Sequence, residues 1–480
     1  MLLLSRRRPW PLRIIYRVSG SVCLDELVSS AVTTTGKISL DCVTIHPARI
    51  SVVRAGSFYS RGLILMQEHH VRRNLLALVG DFVFFSIGFA FYDPVVIVPA
   101  FVKEFTGSSL LIGALSALRI LMITVPQVWA ASFLVAQPRK KPLLVWSTFG
   151  GRFPILFLAL ATLLWTRNHV WLTMAVLTLS VAIFYTSEAL NSVSWPALVG
   201  KVIPDKIRGR FFGAGQLFSS LGAAIAGIVV SRILARDGAA LPERWALLFG
   251  IGFGGLMLSL VSMFFIREEA EDKTPGKTDI RQGLRMMLHY LRTDVLLRRV
   301  VITQIVLWTA GAASPFFIVR AREAFVGNDA IIGALLTTQS IGGAAAALIC
   351  GQLVDRVGSW AAIRLGAITQ TVSLLAVILA GVLGAPTVFY FTAFFLMGFV
   401  AASLWWSFSA YLLDIADNEQ RPIYLATSGI LSSVTILNPL IVGALFETLP
   451  PGTVFVLMAA LSVGGIALAW RLRKGSRISE

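Results

Sequence analysis

Asp81, Asp93, Arg119, Arg152 and Glu188 are five charged side chains set deep in apolar stretches of the first half of the chain. An ionised group at membrane depth costs about 3 kcal/mol or more unless it faces protein or water, so each needs a polar interior to look into. Counting residues at about 1.5 Å each from the nearer membrane face puts Asp93 level with Arg119, and Glu188 level with Arg152. Two carboxylate–guanidinium pairs are therefore expected, with Asp81 shallower than both. Such a pair can couple, the carboxylate releasing its arginine when it takes up a proton or meets a cationic solute. It can also stay closed and fix helix register. Both readings stay open for Glu188, and Asn191, one helical turn away, extends the same polar wall. Asp93 is read as structural: Tyr92-Asp93-Pro94 is expected to kink, the carboxylate receiving the amides that the kink frees.

The second half offers polarity without deep charge: Gln304, Trp308, Gln339, Gln370, Trp405, Trp406 and Asn438. Gln304 and Trp308 are four residues apart and share a helix face, and Gln339 is placed to hydrogen-bond from the adjacent span. Gln370 and Trp406 fit helix packing and interface anchoring better. A charged wall facing an amide and indole wall suits an amphipathic organic solute. His169 and His289 fall in loops on opposite sides, so no nucleophile–base cluster forms at one face, which argues against an enzyme. The glycine-rich runs 250–255 and 342–347 lack the Lys-Ser/Thr of a phosphate loop, and small residues in spans serve close helix approach instead. Cys23, Cys42 and Cys350 are too scattered for a metal cluster or a disulfide framework. No metal and no cofactor are expected.

The elements that must hold these residues are membrane helices. Of 480 residues, 56% are hydrophobic and 14% charged, and the mean hydropathy is +0.77, which a soluble surface does not tolerate. The formal charge of +17 lies in short loops between apolar runs, so it speaks for the positive-inside rule and against nucleic acid. Twelve stretches reach the roughly 20 residues that a span needs. They are residues 75–101, 110–136, 143–166, 170–202, 211–235, 245–266, 299–320, 331–354, 359–383, 386–414, 423–447 and 453–472. The basic excess in alternate loops, including Pro204–Arg210, puts both termini in the cytoplasm. Residues 1–65 carry nine Lys or Arg against three acids and no spanning run. They are read as a spurious start before Met66, the alternative being a basic targeting or surface tail.

The loop 267–298 divides the spans six and six, giving bundles over residues 66–266 and 299–480. Its second part places Leu284, Leu288, Leu291 and Val295 at helical spacing among arginines, as in an interfacial amphipathic helix. The halves echo each other: Ser194-Trp195-Pro196-Ala197 and Ser407-Phe408-Ser409-Ala410 stand 213 residues apart, and the same offset carries Arg208 onto Arg421. Duplicated six-span halves around a midplane cavity are a transporter architecture.

Between spans 8 and 9 the chain reads Gly351-Gln352-Leu353-Val354-Asp355-Arg356-Val357-Gly358, and on this loop and its topology it resembles the major facilitator superfamily, whose signature is G-x-L-x-D-R-x-G. The equivalent loop between spans 2 and 3 keeps only Arg139-Lys140-Lys141, with Ala136 where the signature has Asp. The resemblance covers about residues 70–475. It implies an all-α membrane fold of twelve helices in two six-helix pseudo-repeats that give alternating access, with span 4 lining the cavity and span 3 peripheral, which discounts Arg152. Asp355 would close one face by meeting helix amides or a basic residue, with Gly351 and Gly358 allowing close approach and a tight turn.

The expected function is secondary active transport of a small organic solute, proton-coupled, with efflux one direction it would serve. The alternatives are an uncoupled facilitator of the same fold and, from other classes, a membrane-embedded sensor or lipid-modifying enzyme. Substrate or coupling residues are expected at Glu188, Asn191, Asp93, Arg119, Gln304, Trp308 and Gln339, and gating loops at Asp355, Arg356, Gly351, Gly358 and Arg208. The expected partners are the solute, protons and the bilayer, for a monomer in the plasma membrane.

Overall fold

The structure, a computed structural model, describes residues 72–472 except 136, 138, 237–239, 269–279 and 418–419, together with the backbone of short elements before Arg72. Those early residues form a unit of their own, Met1–Arg73. It contains the antiparallel hairpins Tyr16–Val18 with Ser21–Cys23 and Asp41–His46 with Arg49–Arg54, and the start of a helix at Gly56.

Among the described residues, twelve helical stretches are long and apolar enough to cross a membrane, and all but the first two residues of the first fall in the second unit, Asn74–Glu480. Numbered as spans 1 to 12, they are Arg72–Ala90, Ser109–Gln127, Lys141–Trp165, Val170–Val202, Phe211–Leu234, Leu241–Phe264, Val295–Ala324, Ala330–Arg356, Ser359–Val382, Pro386–Ile415, Ile423–Thr448 and Pro451–Trp470. Large apolar side chains stand on their outer faces, among them Trp146, Phe157, Leu164 and Trp171. In water such a surface would aggregate; in hydrocarbon it is the favourable one.

The first span of each half is broken in the same way. Span 1 stops at Ala90, turns through Tyr92-Asp93-Pro94 and resumes as the helix Ile97–Thr106. Span 7 runs as Val295–Gly311 and resumes at Pro315–Ala324. Proline lacks the amide that would continue the first helix, and it suits the first turn of the second. Span 11 is interrupted by a 3-10 turn at Ser433–Leu437 ahead of Asn438-Pro439. The linker helix Ile280–Thr293 lies on the second half, where Tyr290 packs on Tyr424 and Tyr424 Oη donates to Asp294 Oδ2 at 2.6 Å.

Twelve antiparallel spans give the bundle a terminal pole, where the first span begins and the last ends, and a distal pole. The apolar core is continuous across the halves near the distal pole, joining Phe91, Phe101 and Phe249 of the first half to Phe316, Leu336 and Phe455 of the second. At the terminal pole it separates into a first-half cluster around Leu144, Leu198 and Met263 and a second-half cluster around Leu297, Tyr411 and Leu472. Among the described residues, the halves are thus zipped at one end and parted at the other. That zipping is why Asn74–Glu480 packs as one unit rather than dividing at 267–298.

Backbone contact makes the zip. A Cβ built on Gly113 of span 2 would stand 2.3 Å from the Pro439 carbonyl of span 11, and one on Gly333 of span 8 would stand 2.2 Å from the Ser231 amide of span 5. Only glycine lets these spans cross so closely.

Candidate functional site

Spans 3 and 4 touch at Gly151, where a Cβ would fall 2.3 Å from Ser187 Cβ. This contact brings Arg152 against Glu188: Nη1 donates to Oε1 at 2.9 Å, with the arginine side chain 1% and the glutamate 17% exposed. The guanidinium also faces the rings of Phe85 and Phe184, 4.9 and 5.2 Å from their centroids. A cation between two aromatic faces in a dry site gains from each ring quadrupole. Asn191 Nδ2 donates to the same Glu188 oxygen at 3.2 Å, while its Oδ1 accepts from Ser147 Oγ at 2.7 Å and Thr148 Oγ1 at 3.3 Å. Glu188 is therefore the more accessible end of a buried pair, aligned by an amide that is itself held by span 3.

One turn further, Asp81 of span 1 accepts from Trp195 Nε1 of span 4 at 2.8 Å and from Ser259 Oγ of span 6 at 2.6 Å. Two neutral donors hold its carboxylate and tie three spans, and the Arg152 charge acts on it through space. Asp93 has a different job: Oδ1 accepts the amides of Val95 and Val96 at 2.8 and 2.7 Å, at the head of the helix that follows the break. No ion pair joins it to Arg119. That guanidinium sits 5.8 Å over the Tyr185 ring, and its Nε is buried without an acceptor. Depth matching assumed a straight span 1, but the break turns the Asp93 carboxylate onto the backbone.

In the second half, Gln304 accepts from Ser428 Oγ at 2.6 Å and Thr309 Oγ1 accepts from Asn438 Nδ2 at 2.8 Å, so span 7 is pinned to span 11 on either side of half-buried Trp308. Gln339 is not joined to Gln304, and its Oε1 is buried without a partner. Gln370 donates to the Leu307 carbonyl at 2.7 Å, a packing role.

The matching family covers residues 80–434, and its description is Major Facilitator Superfamily. The chain belongs to the major facilitator superfamily. It is a multi-pass membrane transporter and not an enzyme. A search of curated proteins by sequence finds no match. Among solved structures it is similar to the inward open conformation of the xylose transporter from E. coli, with a TM-score of 0.62, 14% identity, 84% of this chain and 97% of that one covered. It is similar to a nucleoside transporter, with a TM-score of 0.60, 13% identity and coverages of 83% and 98%. A bacterial homologue of the iron transporter ferroportin, in an inward-facing state, gives a TM-score of 0.62 and 14% identity, with coverages of 84% and 99%. At such identities the likeness is one of fold.

Within the superfamily signature, Asp355 and Arg356 are exposed and neither bonds to another described residue. They stand at the terminal pole, and among the described residues Asp355 meets no partner in the first half. Gly358 has φ +124°, which an L side chain rarely adopts, and so the turn into span 9 requires it. Gly351 has open space around it instead of a close helix. The side chain of Arg208 lies outside the described residues. In the first-half loop, where Ala136 replaces the signature aspartate, a carboxylate arrives from elsewhere. Glu268, just past span 6, accepts the amides of Lys140 and Lys141 at 2.8 Å each and pairs with Lys201 at 3.1 Å.

Sequence reasoning also missed the distal latch. Glu447 of span 11 accepts the amides of Ser109 and Leu110 at the head of span 2, at 2.7 and 3.1 Å. Arg322 pairs with Glu104 of the first half and with Asp329 at 3.0 Å. Ser231 Oγ donates to the Ala330 carbonyl at 2.8 Å. Ser108-Ser109 ahead of span 2 was readable as a helix start; nothing in the sequence says that Glu447 would cap it.

Proposed function

We propose that this chain is a secondary active transporter that moves a small organic solute across the plasma membrane and couples the movement to protons through Glu188. The observation that carries this reading is the partly accessible Glu188 paired to the fully buried Arg152, in a bundle parted at one pole and zipped at the other. Protonating Glu188 removes the charge that holds the guanidinium, and Arg152 must then find another acceptor. A shift of either partner changes the packing of spans 3 and 4 against span 1 through Phe85. Proton binding thereby favours one arrangement of the first half over another, which is all that coupling requires. A D-xylose–proton symporter, similar in fold at a TM-score of 0.64 and 13% identity, supports the idea that this fold accommodates such coupling, without passing its substrate to this chain.

Orientation follows the basic loops. With these in the cytoplasm, both termini are inside, the distal pole is the outer face, and the arrangement described above is inward-open. A reporter fused after Glu480 and one inserted between spans 5 and 6, ahead of Leu241, are expected to label opposite faces; labelling of a single face would break this assignment.

The functional test is proton movement in proteoliposomes. A solute that raises the thermal midpoint of the purified protein is added outside, and internal pH is followed with a trapped dye. Solute-dependent proton flux is expected. Equilibration of the solute with no proton flux would establish the uncoupled facilitator in its place.

A further inference from the structure

At about 3.6 residues per turn, the later part of the linker helix Ile280–Thr293 has two faces. Met287, Tyr290 and Leu291 share the inner one, where Met287 is buried and Tyr290 packs on Tyr424 of span 11. Arg285, Leu288, His289 and Arg292 share the outer one, and all four are exposed. The helix is fixed to the head of span 7. There Asp294 Oδ1 accepts the amides of Leu296 and Leu297 at 2.7 and 3.1 Å, and Arg298 Nη1 donates back to the Leu291 carbonyl at 3.1 Å.

Two features of the outer face call for one occupant. The first is charge: Arg285, Arg292 and Arg299 meet no acidic side chain among the described residues. Asp294, the one carboxylate in the stretch 285–299, is taken by the two amides and by the Tyr424 hydroxyl. The second is hydrocarbon: Leu288 and Val295, interleaved with these arginines, are each 45% exposed. Water satisfies an exposed guanidinium but not an exposed leucine beside it. An acidic protein would meet the arginines and leave Leu288 and Val295 uncovered at the head of a membrane span. A phospholipid offers both, phosphate to the arginines and acyl chain to the aliphatic side chains. A zwitterionic head brings an ammonium that the arginines repel, so the fitting head is anionic.

We propose that the outer face of the linker helix binds anionic phospholipid, with phosphates at Arg285 and Arg292 and acyl chains over Leu288 and Val295. The two arginines stand two turns apart, about 10 Å along the helix, so each takes a phosphate of its own. Bound lipid holds the linker against the bilayer at the head of span 7. Asp294 and the Tyr290–Tyr424 contact pass that restraint to spans 7 and 11, which makes the second half responsive to lipid charge.

The test uses the full-length protein purified in detergent at constant ionic strength, with dioleoylphosphatidylglycerol or dioleoylphosphatidylcholine added in mixed micelles. Phosphatidylglycerol is expected to raise the thermal midpoint in a saturable way, and phosphatidylcholine to leave it unchanged. Glycerol phosphate, the same anion without chains, should also leave it unchanged. Arg285→Gln and Arg292→Gln should each weaken the apparent affinity for phosphatidylglycerol about fivefold, and together about 25-fold. Neither guanidinium bonds to a described residue, so the lipid-free midpoint of these variants should match the parent. Leu288→Ser keeps the charge and should weaken binding as well. Arg139→Gln removes the same charge from the first half at the same pole and should leave the affinity unchanged. Equal responses to the two lipids, a response to glycerol phosphate matching that to the lipid, an equal loss in Arg139→Gln, or parental affinity in the double variant would overturn the proposal.

Discussion

Glu188→Gln is expected to lower the thermal midpoint and abolish proton-driven accumulation, and adding Arg152→Gln should restore the midpoint without restoring accumulation. Glutamine keeps the shape of Glu188 but takes away the carboxylate that the Arg152 guanidinium bonds, leaving it buried against Phe85 and Phe184. Breaking one side of a buried pair costs about 3–5 kcal/mol, whereas removing both partners is far gentler. Coupling behaves differently, because neither variant has a group at position 188 that titrates. A one-proton coupled carrier accumulates solute about tenfold per pH unit, since tenfold in concentration is about 1.4 kcal/mol. Both variants should show no accumulation, and downhill exchange should survive in the double variant. The paired measurement separates a coupling residue from a structural one: a double variant that is stable and still accumulates solute leaves Glu188 a register-fixing partner.

The second large effect is expected at the distal pole. Gly333→Leu puts a side chain where a Cβ already meets the Ser231 amide at 2.2 Å and the Gly227 carbonyl at 2.3 Å. Both neighbours are backbone and cannot rotate away, so the clash is relieved only by parting spans 5 and 8. The protein should still insert and behave as a single species, because the second-half clusters around Leu297 and Ala346 do not involve this crossing. It should be held open at the distal pole, with transport reduced about 100-fold or more, an activation cost of about 3 kcal/mol. The check is a short thiol cross-linker between cysteines placed at Ser109 and Glu447, which face each other across the halves. Cross-linking is expected in the parent and not in Gly333→Leu. Efficient cross-linking with full transport in the variant would show that the zip is not a moving part.

The sequence revealed the architecture because the bilayer imposes a length: about twenty apolar residues per helix and basic loops on one side are countable without coordinates. The partnership of Arg152 with Glu188 was visible for the same reason, as both lie on unbroken stretches whose depth can be counted from their ends. Setting Arg152 aside as peripheral overlooked Gly151, whose missing side chain lets span 3 press against Ser187. Depth counting failed for Asp93 and Arg119, where the turn at Tyr92–Pro94 redirects the carboxylate to Val95 and Val96. Glu268 and Glu447 were illegible in principle. Each caps a helix more than a hundred residues away in sequence, and no local spacing records such a meeting.

The central claim is that protonation of Glu188 decides which pole is open, and it can be tested without knowing the solute. Spin labels on cysteines replacing Arg139 and Val357, both exposed at the terminal pole and one in each half, report the gap by double electron–electron resonance in lipid nanodiscs. Two distances are expected, with their proportions changing between mildly alkaline and acidic buffer, and Glu188→Gln should hold the acidic proportions in both buffers. Proportions that ignore pH in the parent, or that respond to pH equally in Glu188→Gln, would contradict the account.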